Sequence, residues 1–140
     1  MKLIIQVRDI KRHCPVYRIG DEFTIDEGYK LSARKKICMH SDGHIIEILD
    51  DLIESGIDAV NAQIFCMGVE ELGRRFRGRI TFWGEIDRQN LLATGSIEQV
   101  RRAVHEMRDR LFANGGVIAQ CEFGPGARPE NVLEVFRTWQ

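Results

Sequence analysis

Residues 35–63, KKICMHSDGHIIEILDDLIESGIDAVNAQ, contain one complete strand–helix–strand unit, and this unit decides the fold. Residues 36–40 predict a short apolar strand. Residues 44–55 predict a helix, because their apolar side chains recur at intervals of three and four positions and share one face. Gly56 suits the position after that helix, where the backbone is often left-handed. Residues 58–63 predict the next strand.

The same alternation continues to the last residue of the sequence. Residues 69–76 predict a short helix, residues 79–84 a third strand and residues 117–121 a fourth strand. Between the third and fourth strands lies the longest predicted helix. It starts at Ser96, whose hydroxyl can form a capping box with Gln99.

Pro129 predicts the first turn of a last helix, where its missing amide hydrogen costs nothing. Leu133, Phe136 and Trp139 are expected to face inward from this helix. Four short strands, each followed by a helix, predict an α/β fold with a parallel sheet.

Polar residues follow the predicted strands. In parallel α/β folds, ligands bind at the carboxyl ends of the strands, so these loops are the expected binding site. The candidate substrate-binding residues in them are Asp42, Gln63, Trp83, Glu85, Asp87 and Glu122.

Residues 1–34 have a different character. Residues 2–8 and 22–25 predict strands, and residues 26–28 predict a turn. We expect a small N-terminal β unit, with residues 2–25 forming a hairpin at an edge of the parallel sheet.

Composition excludes several function classes. The 140 residues are 44% hydrophobic and 29% charged, and the formal net charge is -1, which gives no basis for a nucleic-acid or acidic-membrane partner. No apolar run approaches the roughly 20 residues of a membrane helix. Charged residues near the N-terminus exclude a signal-peptide core, so a cytoplasmic location is expected. The four cysteines are scattered and are expected to be free thiols.

Five stretches carry a resemblance to a known family. They are His40-Ser41-Asp42-Gly43, Gly56-Ile57-Asp58-Ala59-Val60-Asn61, Phe82-Trp83-Gly84-Glu85-Ile86-Asp87, Leu92-Ala93-Thr94-Gly95-Ser96 and Pro129-Glu130-Asn131. In this order and spacing, residues 35–140 resemble the C-terminal half of the uroporphyrinogen decarboxylase superfamily. The family fold is a (β/α)8 barrel, so the resemblance implies a half barrel with parallel strands after residues 1–34.

The resemblance implies a carboxy-lyase that acts on a carboxylated tetrapyrrole without a cofactor. In that family, key arginines and an aspartate come from the N-terminal part of the barrel, which has no counterpart here. The Gly-His-Gly of the last-strand loop is Glu122-Phe123-Gly124 in this chain, and Glu85 and Arg88 also depart from the family pattern. The resemblance with these departures predicts little or no uroporphyrinogen decarboxylase activity for the chain alone.

A methyltransferase branch of the same family binds zinc and works with corrinoid proteins. By resemblance to it, His40, Asp42 and Cys121 are a candidate zinc set, with Asp42 replacing the usual thiolate. Zinc accepts nitrogen, sulfur and carboxylate ligands. The alternative is that His40 and Asp42 bond to loop backbone and that Cys121 is a buried apolar residue.

The first 41 residues are similar to a different family, of small uncharacterised proteins with CPVY and GDEF motifs. The matching stretch is Cys14-Pro15-Val16-Tyr17-Arg18-Ile19-Gly20-Asp21-Glu22-Phe23. The two resemblances overlap at residues 38–41, which suggests a fusion. Cys14, Cys38 and His40 would then share a metal, or they are unrelated thiols and a loop histidine.

Two hypotheses of function follow. The first is a decarboxylase-like or methyltransferase-like enzyme with a small-molecule substrate. The second is a non-catalytic half barrel that forms a homo-oligomer or docks on a partner that completes the barrel, since four strands alone leave two open edges and an uncovered sheet face. The sequence leaves both open.

Overall fold

A computed structural model describes residues 2–10, 18–33 and 36–140. These residues form a three-stranded sheet followed by a four-stranded sheet. Cys14 and Tyr17, which carry part of the second resemblance, lie outside the described residues.

The N-terminal sheet is antiparallel. Its strands are β1 (Lys2–Gln6), β2 (Glu22–Asp26) and β3 (Lys30–Ala33), in that spatial order. β1 and β2 pair as the predicted hairpin. Its predicted place at an edge of the parallel sheet is wrong, because this unit is a sheet of its own. Its third strand was missed since KLSA is short and mixes polar with apolar residues. Glu27 and Gly28, with φ of 53° and 87°, make the tight turn that brings β3 back onto β2.

One close contact ties this sheet to the rest of the chain. The Leu31 amide donates to the Ser55 carbonyl at 2.7 Å. Gly56 lies against the same backbone, and a Cβ atom there would come within 2.0 Å of the Leu31 carbonyl oxygen. Its φ of 97° also requires glycine.

The second sheet is parallel and confirms the predicted strand alternation. Its strands, in spatial order, are β4 (Cys38–Ser41), β5 (Ala59–Ala62), β6 (Thr81–Gly84) and β7 (Val117–Ala119). All three pairings are parallel. The last strand ends two residues earlier than predicted. Within the described residues, β4 and β7 each pair with one neighbour only, so the four strands form an open sheet and no closed barrel.

Six α-helices connect or follow these strands in the described chain: α1 (Leu49–Glu54), α2 (Ile64–Met67), α3 (Val69–Phe76), α4 (Leu91–Thr94), α5 (Ile97–Leu111) and α6 (Pro129–Trp139). A 3-10 turn, Ile46–Ile48, precedes α1, so the first helical segment begins two residues later than predicted. The short helices α2 and α4 were not predicted. The Ser96–Gln99 capping box is present as expected.

The two faces of the parallel sheet differ. Met39, Val60, Phe82 and Val117 are in register and face the core that the helices cover. The next position on each strand points to the opposite face. That row, named here the open face, consists of His40, Asn61, Trp83 and Ile118. The open face meets solvent among the described residues, since Trp83 is 38% and Ile118 44% exposed.

The orientation of α6 differs from the prediction. Leu133 and Phe136 are 53% and 45% exposed, whereas Asn131 and Val135 are fully buried. Trp139 is partly buried against the core as expected. The error has a physical cause: hydrogen bonds of Asn131 fix the rotation of α6, and apolar periodicity alone did not reveal them.

None of the helices in the described residues is long and apolar enough to cross a membrane.

Candidate functional site

The carboxyl ends of the four parallel strands meet at one rim, where Arg88 is the central cation. Arg88 follows β6 and its guanidinium lies between acids from three loops. It contacts Asp42 at 2.9 Å, Glu85 at 4.0 Å and Glu122 in a shorter ion pair. Because one planar guanidinium can bridge several carboxylates, Arg88 joins the loops that follow β4, β6 and β7.

Glu85 is the buried acid of this rim. Its side chain is 6% exposed. No hydrogen bond to its carboxyl group forms among the described residues, and Arg88 at 4.0 Å is its ionic contact there. Burial raises the pKa of Glu85; Arg88 and His40 oppose this effect, whereas Glu122 and Asp42 add to it. A carboxyl group in this environment keeps its proton to a higher pH than an exposed glutamate.

A polar network crosses the open face from β4 to β7. His40 Nδ1 lies 2.6 Å from Asn61 Oδ1. Asn61 Nδ2 donates to the Trp83 carbonyl at 2.9 Å and to Gln120 Oε1 at 2.8 Å. Since the Asn61 oxygen can only accept, His40 carries its proton on Nδ1. The other ring nitrogen then faces Asp42, 3.9 Å away.

A cavity of about 160 Å³ opens beside Glu85. Residues 63–66 and 85–90 line it. Cys66 belongs to this lining; its thiol donates to the Gln63 carbonyl at 3.0 Å, and burial raises its pKa. The cavity is therefore polar, with a buried carboxyl group on one side.

Two predicted binding residues hold the loops of the rim in place. Gln63 Oε1 accepts from the Gly43 amide at 3.0 Å, which joins the loops after β4 and β5. Asp87 accepts from the Gln89 and Asn90 amides at 3.0 Å and 2.9 Å, an arrangement that orders the turn into α4. Both also line the cavity.

Comparison with known protein families identifies the family of the chain. The family model for uroporphyrinogen decarboxylase (URO-D) matches residues 23–140. The chain belongs to the uroporphyrinogen decarboxylase family. No curated protein and no solved structure shows significant similarity to it. The URO-D match begins in β2, upstream of residue 35, so it includes β3 and the close contact at Gly56.

The structure explains two of the stretches that carry the URO-D resemblance. A Cβ atom on Gly84 would lie 1.6 Å from the Met107 methyl group on α5, so a larger residue there would require the Met107 side chain to move. Asn131, in Pro129-Glu130-Asn131, is fully buried, and its Nδ2 lies within 3.0–3.2 Å of the carbonyls of Leu91, Leu92 and Gly95. Both residues serve packing around the rim.

Zinc requires a different arrangement from the one at this rim. Among the described residues, no group of three histidine, cysteine, aspartate or glutamate side chains is placed to hold a metal ion. Asp42 pairs with Arg88, and burial together with Glu85 and Glu122 raises the pKa of Cys121 to about 11. The candidate set of His40, Asp42 and Cys121 does not fit zinc in this arrangement. A zinc site, and the methyl transfer that it implies, therefore stays a prediction, which zinc titration of the parent, His40→Ala and Cys121→Ala tests.

Sequence reasoning did not place Arg88 or Asn61 among the site residues. Arg88 was noted only as a departure from the URO-D pattern. A lone arginine directly after a strand, at a rim with several predicted acids, was the signal that could have identified it. Asn61 lies inside a strand, and only the register of β4, β5 and β6 brings it beside His40 and the Trp83 carbonyl.

Proposed function

We propose that this URO-D family member is a carboxy-lyase whose proton donor is Glu85. The observation that carries the proposal is the position of Glu85, a buried carboxyl group with a raised pKa that lines the rim cavity. Buried acids with perturbed pKa values are typical of groups that transfer protons in active sites.

Decarboxylation needs one proton for each carboxylate that leaves. The bond between the substrate carbon and its carboxylate breaks, carbon dioxide departs, and the electron pair stays on the carbon. The protonated Glu85 gives its proton to that carbon and becomes a carboxylate. Water then returns a proton to Glu85, so the cycle balances without a cofactor.

The charges of the rim limit the substrate class. Asp42, Asp87 and Glu122 contribute three carboxylates beside the protonated Glu85, and the arginine among them, Arg88, is already paired. Such a rim repels a tetrapyrrole with many carboxylates. We therefore propose a smaller substrate, a single pyrrole or similar aromatic ring with an acetate side chain. Trp83, exposed on the open face, offers a flat surface for such a ring.

The test is carbon dioxide release from a panel of pyrrole acetic acids. We expect turnover by the parent chain and a loss of about 100-fold or more in Glu85→Gln, which cannot donate a carboxyl proton. Glu106→Gln, at an exposed glutamate on α5, is the matched control, since it makes the same change from carboxyl to amide outside the cavity. Equal rates in the parent and Glu85→Gln, or no release from any acid, would overturn the proposal.

A second candidate is a non-catalytic barrel half that associates through its uncovered sheet. The observation that favours it is the open face, together with the edge strands β4 and β7, each paired on one side only within the described chain. A chain that oligomerises but releases no carbon dioxide from any of the pyrrole acetic acids would support this candidate.

A further inference from the structure

The edges of the parallel sheet carry exposed apolar side chains. Phe136 on α6, the helix that follows β7, is 45% exposed. Ile48, at the start of the helical segment that follows β4, is 46% exposed. Each belongs to the helix nearest one of the two unpaired strand edges, where the next strand and helix of a barrel would lie.

Each edge helix is tied to its neighbour on one flank. On α6, Glu134 accepts from Arg101 Nε of α5 at 2.9 Å. On α1, Asp50 pairs with Arg75 at 3.2 Å and with Arg79 at 2.7 Å. Two positions along a helix correspond to a rotation of about 200°. Phe136 therefore lies on the flank of α6 opposite Glu134. Ile48 is the last residue of the 3-10 turn before α1, where two positions turn the chain by about 240°, so it also lies away from Asp50.

The charges of the two free flanks are of opposite sign. Glu47 and Asp51 lie beside Ile48 and form no ion pair with any described residue. Arg137, next to Phe136, likewise has no ionic partner among the described residues. An apolar contact with complementary charges at its border is the usual anatomy of a specific interface.

We infer that a second copy of this chain closes the barrel. Family members fold as barrels, and eight parallel strands close such a barrel. Two copies of a four-stranded sheet supply these eight strands. A two-fold axis along the barrel pairs β7 of each copy with β4 of the other, and it places Phe136 of each copy beside Ile48 of the other. The open face becomes the barrel interior, and the two rims meet at one end.

This inference goes beyond the chemistry proposed for Glu85 and is tested separately. Light scattering after size-exclusion chromatography should give twice the 16.1 kDa of the chain. Ile48→Lys and Phe136→Glu should each weaken dimerisation by about tenfold or more, because each places an unpaired charge in an apolar contact. Circular dichroism of each variant checks that its fold is retained.

Mixing the two variants gives the decisive measurement. In a mixed dimer closed by a two-fold axis, the two substituted positions face each other as an ion pair, and the other contact keeps the native Ile48 and Phe136. The mixture should therefore dimerise when neither variant does so alone. A monomeric parent, variants that still dimerise, or a mixture without rescue would each overturn the inference. A parent that dimerises but releases no carbon dioxide would overturn only the proposed function.

Discussion

Asn131 shows how one residue fixes the geometry around the rim. Its amide group lies in a fully buried position and bridges to the carbonyls of Leu91 and Leu92 in α4 and of Gly95 directly after α4. Buried carbonyl groups are costly to leave unpaired. Asn131 thus sets both the rotation of α6 and the turn between α4 and α5.

Replacement of Asn131 tests this role. Asn131→Ala should lower the free energy of unfolding by about 1–3 kcal/mol, since it leaves the buried Gly95 carbonyl without a donor. The Leu91 and Leu92 carbonyls keep the backbone amides of Gly95 and Arg128 as donors. Asn131→Asp fills the same volume but removes the donors, and it should be at least as destabilising. Urea denaturation measures both. An aspartate variant with parental stability would show that Asn131 acts through packing alone.

The raised pKa of Glu85 makes stability depend on pH. The folded protein holds the Glu85 proton more tightly than the unfolded chain, so this stabilisation is complete below the unfolded pKa, about 4.3. It is lost as pH rises through the higher folded pKa. Relative to Glu85→Gln, which does not titrate, the parent should lose stability between pH 4 and pH 8.

Urea denaturation at pH 4, 6 and 8 measures this difference. The matched control is Glu106→Gln, at an exposed glutamate on α5. A stability difference between the parent and Glu85→Gln that stays constant over this range would show that the pKa of Glu85 is the same in the folded protein and in the unfolded chain.

At the scale of elements, the crossing of α3 and α5 depends on a helical glycine. A Cβ atom on Gly73 would lie 2.6 Å from the Arg110 carbonyl oxygen of α5. The two backbones therefore approach more closely than any other residue allows. Helix propensity alone would favour alanine here by about 1 kcal/mol.

Gly73→Ala raises the helix propensity of α3, but it also adds a Cβ atom that overlaps the backbone of α5. Backbone overlap is expected to prevail and to lower the free energy of unfolding by about 1–2 kcal/mol. Arg74→Ala, at the neighbouring exposed position, should change it by less than about 0.5 kcal/mol. Thermal or urea denaturation of both variants measures the effect. A Gly73→Ala variant that is more stable than the parent would contradict the close crossing.

The elements that the sequence predicts well are those with local signals. Residues 69–76 show helical periodicity and form α3, and the Ser96–Gln99 box begins α5. The third N-terminal strand and the rotation of α6 depend on contacts between distant residues, such as Leu31 with Ser55 and Asn131 with Leu92. The apolar periodicity of a short sequence segment contains no information about contacts between distant residues.

The candidate site was likewise predicted only in part from the sequence. The rule that strand ends converge placed Asp42, Glu85 and Glu122 at one rim, and the three meet at Arg88. The rule does not say which polar side chains bind each other. Gln63 and Asp87 therefore look like ligand-binding residues in the sequence, although their hydrogen bonds also hold the loops.

At the scale of the whole molecule, the negative charge of the rim predicts which substrates the proposed lyase would accept. We expect no conversion of uroporphyrinogen by the 140-residue chain above the uncatalysed rate. The acids at the rim repel the carboxylates of this substrate, and Arg88 is occupied by Asp42 and Glu122. Product analysis under anaerobic conditions checks this. Conversion above background would refute the assignment of a smaller substrate.

Replacement of the two acids that pair with Arg88 should make the rim bind a polycarboxylate more tightly. The double variant Asp42→Asn with Glu122→Gln frees the guanidinium and removes two negative charges. Its affinity for a tetracarboxylate porphyrin should rise by about tenfold at low salt, or about 1.4 kcal/mol. The gain should shrink as salt screens the charges. The triple variant that adds Arg88→Gln is the control, because without the guanidinium most of the gain should disappear. A triple variant that binds as tightly as the double variant would show that lower repulsion, and not Arg88, governs recognition at this rim.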